Sequence, residues 1–163
     1  MKLLLFLSLF FARCLAPLPL AAQGYAANTL QLSTGLDFRG YPWVLSGSYE
    51  RLVSGAWRSN VQVLARLGLG NHRELWDPSG FPSLLGGMTL LIDQDRDGSG
   101  ANYWEVSLGG IGWLERETEL RLKTMRPYLE LGYRHQPPRG GWLFRVYLGT
   151  MGGGVGVGYT FGR

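Results

Sequence analysis

The chain has 163 residues, 25 of them glycine, with 45% hydrophobic and 17% charged residues and a formal net charge of +4. Glycine at this density, far above the usual ~7%, is spread through apolar segments instead of collected in linkers, which excludes a helical protein and leaves an all-β one. The charge excess gives no basis for a nucleic-acid partner, and it shrinks to 14 basic against 12 acidic residues when Lys2 and Arg13 leave with the leader segment described next.

Lys2 precedes the short apolar run Leu3 to Ala12, which is followed by Pro17, Pro19 and the small pair Ala21-Ala22. That order reads as an export signal cleaved after Ala22. The run falls short of the roughly 20 apolar residues a spanning helix needs. Cys14 is preceded by Arg13, where a lipoprotein signal would carry a small residue, and it departs with the leader. The division is therefore residues 1–22 as signal peptide and 23–163 as one β-barrel domain without cysteine.

Eight stretches of the mature chain alternate with period two: Leu30–Phe38, Trp43–Leu52, Arg58–Leu69, Ser83–Asp93, Asn102–Leu114, Met125–Gln136, Trp142–Gly149 and Gly154–Phe161. In the first, Leu30, Leu32, Thr34, Leu36 and Phe38 oppose Gln31, Ser33, Gly35 and Asp37. In the seventh, Trp142, Phe144, Val146 and Leu148 oppose Leu143, Arg145 and Tyr147. The last sets Val155, Val157, Tyr159 and Phe161 against glycines and Thr160. One face is branched and aromatic, the other small or polar.

Alternation by itself does not say which face is inside. The lengths, roughly 9 to 13 residues, suit tilted membrane strands better than a sandwich. The even count brings both termini to one side, and Phe38, Trp43, Tyr49, Tyr133, Trp142, Tyr159 and Phe161 fall toward strand ends as interfacial belts do. The expected fold is an eight-stranded antiparallel up-and-down transmembrane β-barrel in a bacterial outer membrane, in contact with its lipid and lipopolysaccharide. With the N-terminus periplasmic, the outward connections are Arg39–Pro42, Gly70–Pro82, Glu115–Thr124 and a glycine turn near Thr150–Gly153.

The segment Gly132-Tyr133-Arg134-His135-Gln136-Pro137-Pro138-Arg139-Gly140-Gly141-Trp142-Leu143-Phe144-Arg145 resembles one found in small outer-membrane β-barrel proteins of Bacteroidetes-type bacteria. Tyr49-Glu50-Arg51 and the closing Gly158-Tyr159-Thr160-Phe161 are similar to the same family. The resemblance implies that Phe161 acts as an assembly signal for the barrel-assembly machinery, although Gly162 and Arg163 follow it here. It implies location and fold more than any activity.

Among residues able to carry chemistry, Asp37, Glu50, Arg66, Glu105, Glu130, Arg134 and Arg145 lie on the faces assigned to the interior, where their mixed signs predict a salt-bridged plug in a bore only wide enough for side chains. Asp93, Asp95 and Asp97, followed by Gly98, match the first half of a calcium loop, but the twelfth position is Trp104 and the acid, Glu105, comes one residue late; a solvated acidic turn without cofactor is the favoured reading. His72 and His135 are the only imidazoles. His72 reads as a loop residue, with Glu74 and Asp77 near it and Ser79 as the closest serine, a weak basis for an outer-leaflet lipid hydrolase. The expected role is structural or surface-interacting, without catalytic activity. The alternative is a small-ligand or calcium-binding barrel.

Overall fold

Alternation of small or polar with large apolar residues produces strands throughout the chain. The computed structural model describes residues 28–38, 43–55, 60–73, 80–94, 101–115 and 121–162. Within them lie β1 (Asn28–Asp37), β2 (Trp43–Gly55), β3 (Val61–Arg73), β4 (Phe81–Asp93), β5 (Asn102–Glu115), β6 (Arg121–His135), β7 (Gly141–Gly149) and β8 (Gly152–Phe161). Each strand pairs antiparallel with its sequence neighbour, and β8 pairs with β1 to close the barrel. Closure pairs every strand on both sides over part of its length, although β6 rises beyond β7, which pairs only with Glu130–His135. Residues 1–22, expected from the sequence to be a signal peptide, lie outside the described residues.

The pairing is staggered. Following partners once around, from Asn28 through Arg51, Ala65, Met88, Leu108, Leu129, Thr150 and Met151, returns not to Asn28 but to Phe38, ten residues up the chain. Ten residues of about 3.3 Å rise set against eight spacings of about 4.8 Å tilt the strands by about 40°. A strand of ten residues then climbs about 25 Å along the axis, the height of an apolar membrane band. We call the end where β1 begins the proximal rim and the opposite end the distal rim.

The two faces differ sharply in chemistry. Thr29, Gln31, Ser33 and Asp37 of β1 are buried, while Leu30, Leu32, Leu36 and Phe38 are exposed; on β7 Leu143 and Arg145 are buried and Trp142, Phe144, Val146 and Leu148 exposed. The proximal interior is apolar, built from Leu52, Leu64, Leu91 and Tyr103. Charged side chains fill the middle, and a cavity lies above them toward the distal rim.

Three outward connections are shorter than the sequence suggests. β3 continues through Gly70, Asn71, His72 and Arg73, and β4 starts at Phe81, because the rows Gly70↔Ser83 and His72↔Phe81 continue the ladder. β6 begins at Arg121 instead of Met125, paired with Glu115 beyond a bulge at Trp113/Leu114. The last turn is Thr150-Met151, and all three glycines after it belong to β8. Gly152 has φ +145°, and a Cβ there would run into the backbone of Leu36, so the tight return onto β1 requires glycine at this position.

Candidate functional site

The middle of the bore holds three arginines and three glutamates in a closed cycle of alternating charge. Arg66 Nη1 lies 2.8 Å from Glu130 Oε2, and Glu130 Oε2 lies 2.9 Å from Arg145 Nη2. Arg145 Nη2 is 2.8 Å from Glu105 Oε1, whose other oxygen lies 3.8 Å from Arg134 Nη1. Arg134 Nη1 is 2.6 Å from Glu50 Oε2, and Glu50 Oε1 completes the cycle 3.8 Å from Arg66 Nε. The formal charges of the six cancel. Cancellation matters because an unpaired ion this deep costs several kcal/mol.

Neutral side chains add hydrogen bonds to two of the carboxylates, while Glu105 Oε2 has no hydrogen-bond partner among the described residues. Gln31 Nε2 donates to Glu50 Oε1 at 3.0 Å, Thr89 Oγ1 donates to the same atom at 3.3 Å, and Ser107 Oγ donates to Glu105 Oε1 at 3.1 Å. Space for the arginines comes from β8: a Cβ on Gly156 would lie 2.9 Å from Arg145 Cγ and 2.7 Å from Ser33 Oγ. Arg145 also stacks over Tyr147, its guanidinium carbon 4.4 Å from the ring centre. The cycle occupies the bore with side chains and leaves no described free carboxylate for a ligand.

Six of the seven interior charges expected from the sequence meet in this cycle; Asp37 does not. Asp37 is buried at the distal end of β1, where its Oδ2 lies 3.3 Å from His72 Nδ1. His72 Nε2 in turn lies 3.1 Å from Ser83 Oγ. His72 is therefore an interior residue of β3 and not a loop residue. Its structural partners are Asp37 and Ser83, whereas Glu74, Asp77 and Ser79 lie outside the described residues. The even-numbered interior series Leu64, Arg66, Gly68 and Gly70 points to it, whereas the expected connection Gly70–Pro82 breaks that series before it reaches His72. His135 lies at the proximal rim, its Nδ1 3.0 Å from Asn102 Oδ1.

Asp93 ends β4 opposite Tyr103, and its backbone N–H donates to Asn60 O at 2.7 Å. Asp95 and Asp97 lie outside the described residues. Among the described residues no group of three or more His, Cys, Asp or Glu is placed to hold a metal ion.

Phe161 closes β8 opposite Asn28, on the outer face of the proximal rim. Aromatic residues gather beside it. Trp142 and Tyr159 meet edge to face at 5.8 Å, Trp104 and Tyr133 at 6.5 Å, and the hydroxyls of Tyr49 and Tyr133 donate to Asn28 and Asn102, each at 2.6 Å. Phe38, Trp43 and Phe81 are exposed toward the distal rim. The outer surface thus carries amphipathic rings at one end, aromatic residues at the other and aliphatic residues between.

These features define a closed, eight-stranded, up-and-down β-barrel with a plugged polar interior and an apolar exterior. A solved structure with the same fold is the N-terminal β-barrel domain of OprF from Pseudomonas aeruginosa, matched with a TM-score of 0.61 at 13% sequence identity over 85% of this chain and 100% of that one. No family model and no curated protein sequence matches the chain.

Proposed function

We propose that the chain is an integral outer-membrane β-barrel that stabilises the envelope and presents its distal connections to the outside. The observation that carries this reading is the reversal of polarity. Leu32, Leu69, Val146 and Leu148 are each more than half exposed on the outer face, whereas Glu50 and Arg134 at a similar level are completely buried. In water such an exterior would aggregate, since contiguous apolar surface beyond a few hundred Å² marks a contact with another phase. In a bilayer it is satisfied by acyl chains, and the closed ladder pairs the main chain strand to strand around the whole ring.

Residues 1–22 support export, the aromatic rims support an interfacial fit, and the likeness of Gly132–Arg145 to Bacteroidetes-type barrels supports the same compartment. In this reading lipid and lipopolysaccharide surround the barrel, and Phe161 is presented to the barrel-assembly machinery. Membrane fractionation tests it: the protein should stay with membranes through carbonate extraction and migrate faster on a gel unheated than boiled. Recovery from the periplasm without detergent would overturn it. Proteolysis of intact cells within Glu115–Thr124 would show that the distal rim faces outward.

A further inference from the structure

Asp37, His72 and Ser83 come from three strands, β1, β3 and β4, and meet inside the distal half of the barrel, above the charged cycle. The sequence of contacts is carboxylate, imidazole, hydroxyl: Asp37 Oδ2 to Nδ1 at 3.3 Å, then Nε2 to Ser83 Oγ at 3.1 Å. A carboxylate beside Nδ1 selects the tautomer with its proton there. The Nε2 lone pair is then left to accept from the Ser83 hydroxyl, the arrangement that lets an imidazole act as base toward a serine nucleophile. The ring is also held from the side by Trp113, at 5.8 Å between centres and tilted 56°.

A polar triplet in a barrel interior need be no more than filling. Here, however, it borders space. His72 and Ser83 line a cavity of about 60 Å³ together with Gly70, Ile111, Tyr128 and Tyr147. With roughly 10–15 Å³ needed per water, that is room for a few non-hydrogen atoms, the bulk of a short acyl group and far less than a fatty acyl chain. Gly70, paired with Ser83 across the ladder, keeps the nucleophile clear, since a Cβ there would lie 2.7 Å from Ser83 Oγ. Tyr128, on β6 two strands along from Ser83, lines the same cavity, with its hydroxyl close beside Gly87, four residues along β4 from Ser83. Four residues at about 3.3 Å each put that hydroxyl too far from Ser83 to receive an oxyanion there, so it is a buried polar group of the cavity floor.

We propose that Ser83 and His72, positioned by Asp37, form a hydrolytic centre for short-chain carboxylic esters entering through the distal mouth. Ser83 Oγ bonds to the ester carbonyl carbon as its proton passes to His72 Nε2. The acyl carbon–oxygen bond of the ester then breaks, and that proton leaves with the alcohol, giving acyl-Ser83. Water adds to the acyl carbon with its proton taken by Nε2. The bond to Oγ breaks, Oγ regains the proton, and the carboxylic acid departs.

The full chain, folded in detergent micelles, is assayed with p-nitrophenyl acetate and separately treated with methanesulfonyl fluoride, whose sulfonyl group is small enough for the cavity, before intact-mass and peptide analysis. Saturable release of p-nitrophenolate and a single methanesulfonyl adduct on Ser83 are expected. Ser83→Ala and His72→Gln should each lower turnover by about 100-fold or more while retaining the mobility shift of a folded barrel. Asp37→Asn should lower kcat with KM unchanged, which loss of packing alone would not do. p-Nitrophenyl palmitate should not be hydrolysed. The adduct is read on the wild-type protein and needs no variant to fold. Its absence from Ser83 in the folded protein, or acetate turnover unchanged in a folded Ser83→Ala variant, overturns the proposal.

Discussion

Arg134 Nη1 and Glu50 Oε2 lie 2.6 Å apart although their residues are 84 positions apart in sequence and belong to β6 and β2, four strands apart in a ring of eight. The bond therefore crosses the full width of the bore. Both side chains are completely buried, so the strength of the contact depends on each having the other. Removing one partner of such a pair costs about 3–5 kcal/mol, because it leaves an unbalanced ion, whereas removing both costs much less. Glu50→Gln and Arg134→Gln should each lower stability by that order, and the double variant should lose well below the sum. Urea unfolding in lipid vesicles, followed by tryptophan fluorescence, provides the measurement. Strictly additive losses would show that the cycle does not act as a unit.

The glycines of the barrel offer a comparison of the two faces by one chemical change. Gly156 points inward, where a new Cβ would crowd Arg145 Cγ at 2.9 Å and Ser33 Oγ at 2.7 Å; Gly47 points outward, where the nearest atom is Leu32 Cδ2 at an ordinary 3.5 Å. Gly156→Ala should destabilise the barrel by about 1–3 kcal/mol through overpacking next to the charged cycle. Gly47→Ala should be neutral or stabilise by up to about 1 kcal/mol, since it restricts the unfolded chain without a clash. The same vesicle unfolding assay compares them, and an equal loss at both positions would contradict the packing account.

That contrast also explains how much of the molecule the sequence disclosed. A narrow barrel admits small or polar residues inside and asks for apolar ones outside, so period-two alternation wrote the facing of Arg145 and Val146 directly into adjacent letters. Strand extents were less legible. Gly70-Asn71 carries the letters of a turn yet continues a ladder, because the cross-strand rows to Ser83 and Pro82 remain available to it. The charged cycle was visible as six inward residues but not as a cycle, since its links run between strands up to four places apart. The Asp37–His72–Ser83 contact was the least legible of all. It depends on the ten-residue stagger that sets the heights of β1, β3 and β4, a property of the closed sheet and of no single segment.

Phe161 provides a test that separates assembly from stability. It is partly exposed on the outer face and touches the end of the ladder rather than the charged interior, so its loss should alter the finished barrel little. If it is read by the barrel-assembly machinery, Phe161→Ala should reduce insertion in cells while the purified variant refolds in detergent with wild-type yield. A chain truncated after Phe161, with the aromatic residue terminal, should insert faster. Pulse labelling followed by the unheated gel shift measures both, and equal insertion rates for all three proteins would dismiss the signal role.

Val146 tests the bilayer itself. It lies on the outer face of β7, 57% exposed, four residues beyond Trp142 in the proximal aromatic rim. At about 3.3 Å per residue and a tilt of about 40°, it sits about 10 Å above that rim, near the middle of a band about 25 Å high. An arginine there costs about 2–4 kcal/mol when the surroundings are hydrocarbon, but about 0–1 kcal/mol near an interface. Val146→Arg should therefore impair membrane assembly and lower stability in vesicles, while Val53→Arg, outward at the proximal end of β2, should be tolerated. Water around the barrel would reverse this expectation, because a new surface charge would then improve solubility at either position. Normal insertion and unchanged stability of Val146→Arg would accordingly refute a lipid-facing exterior, however well the barrel closes.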